Sequence, residues 1–271
     1  GQAASRLAGR LLDPVLPFWP DGRTLALMAP PPLDDLPWPA LPLPLPLPLP
    51  GRADAPQGAA PGALIDHGAV VHVADLARWT HRQARPRDCG RLLSVGVNGA
   101  DAQQALRLPE DEARSVAAAW CSDDVEVLTG EAATWPHLRV RARDGYRAVH
   151  LASHAAVTEG LPGQSTLWLT DAEGAVPVTI PEVRDLALAT DLVFLSSCEG
   201  SRPVLTNGTG LGSFARAFLQ AGAGAVVASA RRVDDAAAVA LAEAFYARWP
   251  GEASGAAALR SAQLAVRERG D

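Results

Sequence analysis

Tyr146–His154 (YRAVHLASH) and Asp191–Cys198 (DLVFLSSC) are the stretches whose reading decides the fold. Both are short, apolar and rich in Val, Leu and Phe, which is how a parallel strand covered on both faces reads. One ends in His154. The other ends in Cys198, after which Glu199-Gly200-Ser201 takes the chain out of the strand. Laid side by side, the two strands bring an imidazole and a thiol to the carboxyl edge of one sheet, where ligands collect in open α/β folds. A thiol attacks as its thiolate, and a neighbouring His favours that form. Gly200, just after the cysteine, leaves room for a substrate backbone to approach.

Outward from these strands, apolar and helical stretches alternate from residue 91 onward. Arg91–Val97 reads as a strand, Pro109–Trp120 as a helix with an acidic first turn, and Val125–Leu128 as a short strand. His137–Arg143 reads as another short element. Ser165–Val178 reads as a hairpin turning at Asp171–Gly174, and Ile180–Leu186 as a short helix after Thr179. Gly210–Ala221 is an apolar helix and Ala223–Ser229 a strand. Asp234–Trp249, with Asp234 or Asp235 at its start, and Ser254–Arg269 are the last two helices. This alternation predicts a sheet with helices on its faces. The first 62 residues are less regular. Ala3–Leu16 reads as a helix and Arg23–Met28 as a strand, while Ala63–Ala74 reads as one or two strands. Between them, proline at every second position of Leu41–Pro50 removes ladder donors, so that stretch reads as a polyproline-like or low-complexity loop.

The bulk composition excludes several classes. The 271 residues are 48% hydrophobic and 20% charged, enough for one large domain or two small ones, and the net charge of −6 offers no footprint for nucleic acid. No apolar run reaches membrane-spanning length and no signal peptide is visible. All 24 basic residues are Arg, the usage of a GC-rich bacterial genome. Cys89, Cys121 and Cys198 are too few and too scattered for a disulfide framework or a metal site, and an odd count suits a reducing cytoplasm. The chain opens on Gly1 rather than Met, which points to a larger protein preceding it.

Other motifs are blander. His67, His72, His81, His137 and His150 show no metal-ligand spacing. His150 lies four residues before His154, on the same strand face, but no Cys, Asp or Glu nearby completes a ligand set. Asn207–Gly212 (NGTGLG) opens a helix without the strand before it or the Lys-Ser/Thr pair after it that a phosphate loop needs. A buried Cys is most often a small hydrophobe, and Cys89 and Cys121 read that way. Cys198 differs because its strand ends there.

Taken in order, the blocks resemble a CHAT domain, a caspase-like cysteine peptidase family related to caspases, separases, metacaspases and gingipains. LALMAPPPLDDLPWPAL (25–41), LLSVGVNGADAQQALRLPEDEARSVAAAW (92–120), VHLASHA (149–155), DLVFLSSCEGS (191–201), GTGLGSFARAFLQAGAGAVVASARRVDD (208–235) and ALRSAQLAVRE (258–268) carry the resemblance, over about residues 23–270. It implies a caspase-like three-layer α/β/α fold around a mostly parallel sheet. Residues 1–130 would be the N-terminal part, with the Pro-rich loop 41–62 and a possible pseudo-protease subdomain, and residues 131–271 the catalytic part. It also implies a cysteine endopeptidase without cofactor or metal. Cys198 would be the nucleophile, His154 the general acid, and the backbone N–H groups of Ala155 and Cys198 the oxyanion hole. Ser196, Ser229 and Arg231 would line the substrate cleft.

Two departures bear on specificity. Ala155 stands where relatives carry Gly, and Arg231 stands where many carry Trp. Metacaspases, which cut after basic residues, have Asp at the position of Ser196. Together these point to an acidic or small residue before the scissile bond. The expected partners are a protein or peptide substrate and a regulatory N-terminal region or activator, with no nucleic acid and no membrane, in the cytoplasm of a bacterium. The alternatives are a silent CHAT interaction module or another cysteine hydrolase. An α/β-hydrolase elbow fits poorly, since Ser196 replaces its first Gly and no His follows Cys198.

Overall fold

Apolar runs buried on both sides become the strands of a central sheet, and the stretches between them become its helical cover. The computed structural model describes residues 2–20, 22–29, 33, 36–43, 62–74, 79, 89–98, 108–156, 165–171, 174–196, 211–229 and 233–270. In chain order these form α1 (Gln2–Leu12), β1 (Leu25–Leu27), α2 (Leu64–His67), β2 (Val70–His72), β3 (Leu92–Gly96), α3 (Leu108–Ala119) and β4 (Val125–Thr129). Then come α4 (Trp135–Arg141), β5 (Ala148–Ala152), β6 (Ala155–Ala156), β7 (Thr166–Asp171), β8 (Gly174–Thr179), α5 (Ile180–Arg184) and β9 (Leu192–Ser196). The last elements are α6 (Leu211–Ala221), β10 (Ala225–Ala228), α7 (Asp235–Arg248) and α8 (Gly255–Arg269).

The main sheet has the order β10-β9-β5-β3-β4, and every pairing in it is parallel. Strands on both sides of residue 130 share it. Successive side chains point to opposite faces, so each strand feeds two cores. On one face Leu93, Val95, Val149, Leu151, Val193 and Leu195 pack against Leu138 of α4, Val183 of α5 and Phe214 and Phe218 of α6. On the other, Leu92, Ala148, Leu192 and Phe194 pack against Val116 of α3, Phe245 and Tyr246 of α7 and Ala258 and Ala262 of α8. This is the three-layer α/β/α arrangement of a caspase-like fold. Asp234 accepts from the N–H groups of Ala236 and Ala237, and Ser254 accepts from that of Ala257, so both late helices begin where their caps predict. No helix among the described residues is long and apolar enough to cross a membrane.

The N-terminal residues build a separate small core from Leu12, Leu16, Trp19, Leu25, Trp38 and Leu64. Its two strands, β1 and β2, are parallel. Half of the strand expected at Ala63–Ala74 is the helix α2, because Asp66 bonds the Ala63 N–H at 2.7 Å and starts a helical turn. Arg260 of α8 fastens this unit to the main body by donating to the carbonyls of Ile65 (2.7 Å) and Asp66 (2.9 Å), and Arg267 pairs with the Asp66 carboxylate at 2.6 Å. Desolvation works to raise the pKa of Asp66, but the hydrogen bonds from Arg267 and the Ala63 N–H outweigh it and hold the carboxyl below its usual range.

Two further contacts lie away from the carboxyl edge. Cys89 and Cys121 form a disulfide between the segment before β3 and the turn after α3. This corrects the expectation that the cysteines are too scattered to pair: they are 32 positions apart, and the chain between them runs up β3 and back down α3, so both ends meet at the amino edge. The odd cysteine count therefore says nothing about the compartment. Trp120 adds a second tie there by donating from Nε1 to the Gly90 carbonyl at 3.1 Å. Beneath the sheet, His150 Nε2 lies 3.3 Å from Glu112 Oε1 of α3, and its Nδ1 lies 3.5 Å from the Tyr246 hydroxyl. His150 is wholly buried and Glu112 only 5% exposed. Full burial, and then the charge of Glu112, push the Tyr246 hydroxyl well above its usual pKa.

Closing a loop of this length is worth about 3–4 kcal/mol by chain entropy. Reduction of the Cys89–Cys121 bond, or the C89S/C121S pair, is expected to lower Tm by about 10 °C in a thermal melt. An unchanged Tm would show that closing this loop does not restrict the unfolded chain enough to stabilise the fold. For the buried pair, Glu112→Ala or His150→Ala alone should cost about 1–3 kcal/mol in urea unfolding, because each leaves a buried polar group without its partner. The double replacement E112M/H150L should cost far less than the sum, and strict additivity would show that the two groups do not couple.

Candidate active site

The carboxyl ends of β3, β5 and β9 are level. Gly96 is paired with Ala152, and Ala152 with Ser196. The Val97 N–H donates to the Ala152 carbonyl at 2.9 Å, and the Ser153 N–H donates to the Ser196 carbonyl at 3.1 Å. Gly96 is required at this edge by contact rather than by conformation. A Cβ there would stand 2.4 Å from the Pro109 carbonyl oxygen and 2.7 Å from the Glu110 Cα, so the start of α3 lies directly on it.

His154 is the second residue past the end of β5 and is half-buried. Among the described residues its ring makes no hydrogen bond to a side chain. Its backbone is fixed. The Trp168 N–H of β7 donates to the His154 carbonyl at 2.9 Å. Two residues of β6 then pair antiparallel with β7, Ala155 opposite Leu167 and Ala156 opposite Thr166. Because a trans peptide points its C=O and N–H in opposite directions, the His154 carbonyl facing β7 turns the Ala155 N–H away from β7. Ala155 itself is buried, at 4% exposure. The loop loses no reach through having Ala rather than Gly here, since β-strand backbone suits any residue.

Ser196 ends β9, half-buried, with its carbonyl on the residue before His154. Ser229 directly follows β10, whose Ala228 pairs with Leu195, one residue before Ser196. Cys198 and Arg231 lie outside the described residues, as do residues 201–209. His154, Ala155, Ser196 and Ser229 thus all sit at one edge of the sheet. His150 does not join them: it is four residues back, enclosed between the sheet and α3, and it belongs to the core. No group of three or more His, Cys, Asp or Glu that could hold a metal exists among the described residues.

Sequence reasoning passed over Ser153 and Trp168. Ser153 is buried, and its hydroxyl donates to the Trp168 carbonyl and lies 3.2 Å from the His154 carbonyl. Trp168 pairs with Pro177 of β8, and this register suits a residue without an N–H, because the polar groups of Trp168 face His154 instead. The only sequence signal for this clasp is a serine beside the histidine; its partner lies 15 residues further on.

Among the described residues the ion pairs stand elsewhere. Arg147 and Asp191 form an ion pair at the amino ends of β5 and β9, both largely buried. Tyr146, before β5, is pushed up to about 12 by burial and by its hydrogen bond to the Glu126 carboxylate. Arg91 lies 4.6 Å over its ring.

A sequence profile described as the CHAT domain matches residues 1–271, the whole chain. No curated protein matches. Among solved structures the chain is similar to a crystal structure of a protein from Geobacter sulfurreducens, at 17% identity and a TM-score of 0.31, over 42% of this chain. The match spans about half of that protein, 52% of its length.

Proposed function

The chain belongs to the CHAT domain family, and from that premise we propose that it is a caspase-like cysteine endopeptidase with a dyad of Cys198 and His154. The observation that carries the reading is the 3.1 Å bond from the Ser153 N–H to the Ser196 carbonyl. His154 is one residue beyond that bond on one strand, and Cys198 two residues beyond it on the other. Two residues reach at most about 7 Å, and this short tether from Ser196 supports a pairing of Cys198 with His154.

The chemistry follows from those groups. The Cys198 thiolate attacks the carbonyl carbon of a peptide bond and forms a tetrahedral oxyanion. Backbone N–H groups of Ala155 and Cys198 receive the negative oxygen, and the outward turn of the Ala155 N–H supports that role. His154 gives its proton to the departing amine, and a thioester is left on Cys198. Water, deprotonated by His154, then attacks the thioester and releases the acid product and the thiol. Each step uses groups of the chain, the peptide and water.

Ser196 and Ser229 border the same edge, and Arg231 follows Ser229 by two residues. We assign Arg231 to the recognition of an acidic residue before the scissile bond. The substrate is a protein or peptide, and control rests with an N-terminal regulatory region or an activator protein.

Alkylation by iodoacetamide, followed for each cysteine by mass spectrometry across pH, tests the dyad. Fast labelling of Cys198 at neutral pH, slowed at least tenfold in His154→Ala, is the expected outcome. Equal and slow labelling in both proteins would favour the silent interaction module. For specificity, cleavage of a peptide library should show a preference for Asp or Glu before the scissile bond that Arg231→Ala removes. An unchanged profile in that variant would refute the assignment of Arg231.

A further inference from the structure

We propose that Ser153 is a positioning residue for the catalytic histidine: its hydroxyl, clasping the Trp168 carbonyl, sets the peptide unit that carries His154. The inference rests on the reading of His154 and Cys198 as a dyad.

Three observations carry it. First, Ser153 bonds in two directions at once. Its N–H reaches the Ser196 carbonyl on the strand leading to the cysteine, and its hydroxyl reaches the Trp168 carbonyl on β7. One buried residue therefore ties His154 to both of its flanking elements. Second, the ladder that would otherwise fix His154 is short. β6 has two residues, and the Trp168 carbonyl, which a longer ladder would pair with a backbone N–H, takes the Ser153 hydroxyl instead. Third, the bond acts on the peptide that matters. The His154 carbonyl accepts from the Trp168 N–H, and the Ser153 hydroxyl lies 3.2 Å from that same carbonyl. Rotation of this peptide would carry the imidazole and the Ala155 N–H together.

Removing the hydroxyl leaves the Trp168 carbonyl without its donor and frees the turn to rotate. A small displacement of a catalytic group has a large effect on rate. The first consequence is at the thiol, because an imidazole that drifts away no longer favours the thiolate.

Ser153→Thr and Ser153→Val have nearly the same shape and differ by the hydroxyl, so their comparison isolates it. Each is measured in the full chain by the pH profile of Cys198 alkylation with iodoacetamide, beside wild type and His154→Ala. The expected result is a profile for S153T close to wild type. S153V should label about tenfold more slowly at pH 7 and equally fast at a pH where the thiolate is fully formed, with unchanged near-ultraviolet circular dichroism. A role confined to stability would not move that profile. Where the added methyl prevents folding, Ser153→Ala against wild type gives the same contrast. If wild type and His154→Ala differ while the variant lacking the hydroxyl follows wild type, the positioning role is overturned and the dyad stands. If wild type and His154→Ala label alike, the dyad itself fails and this inference falls with it.

Discussion

A parallel strand flanked on both sides and covered on both faces has no freedom left in register, and β5 is such a strand. Its five residues are all buried and are paired from Ala148 to Ala152 with β3 on one side and β9 on the other. A slip of one residue would exchange the two cores, driving Val149 and Leu151 toward α7 and His150 toward α6. The buried contact of His150 with Glu112 and Tyr246 adds a polar reason against the slip, since the imidazole finds partners on one face alone. The position of His154 follows from this constraint, because it leaves the sheet two residues after the last locked pair.

The two edges of the sheet are held by different chemistry. At the amino edge the ties include a covalent and an ionic one: the Cys89–Cys121 disulfide and the Arg147–Asp191 pair, with the Trp120 hydrogen bond to the Gly90 carbonyl beside them. At the carboxyl edge, among the described residues, the ties are backbone bonds and a serine hydroxyl. A proposed catalytic edge would benefit from this separation. An ion pair next to the imidazole would compete for its proton, whereas a carbonyl or a hydroxyl positions without adding charge.

Apolar runs made the sheet legible from the chain alone. β3, β5 and β9 fall inside the stretches expected of them, and the hairpin turns at Asp171–Gly174 as its residues indicate. Caps were equally readable at Asp234 and Ser254. What the sequence did not disclose depends on contacts between distant residues. Cys89 and Cys121 look scattered until β3 and α3 fold back on each other. Glu112 looks like one more acid in the first turns of a helix until α3 lies under His150. The helical turn at Leu64–His67 depends on Asp66, a residue that also pairs with Arg267 some two hundred positions away, and a local apolar pattern cannot separate that turn from a strand. At the site, the residue types and their order pointed to His154 and Cys198, while the residues that hold the histidine came into view with the hairpin.

That hairpin carries no reactive group of its own and is nonetheless part of the site. A two-stranded ribbon is marginally stable alone. This one is fastened by Leu167, Leu169 and Val178 in the core, and by Thr170, which bonds the Gly130 and Ala133 carbonyls through its hydroxyl and Ala133 again through its N–H. Fixed in this way, β7 offers its Trp168 peptide groups to the turn at Ser153 and His154. The planar unit between His154 and Ala155 then has one end against β7 and the other turned away from it. In the proposed mechanism the proton donor and the oxyanion donor would thereby be set by a single rigid group, and both would inherit their position from a strand whose sequence shows only alternation.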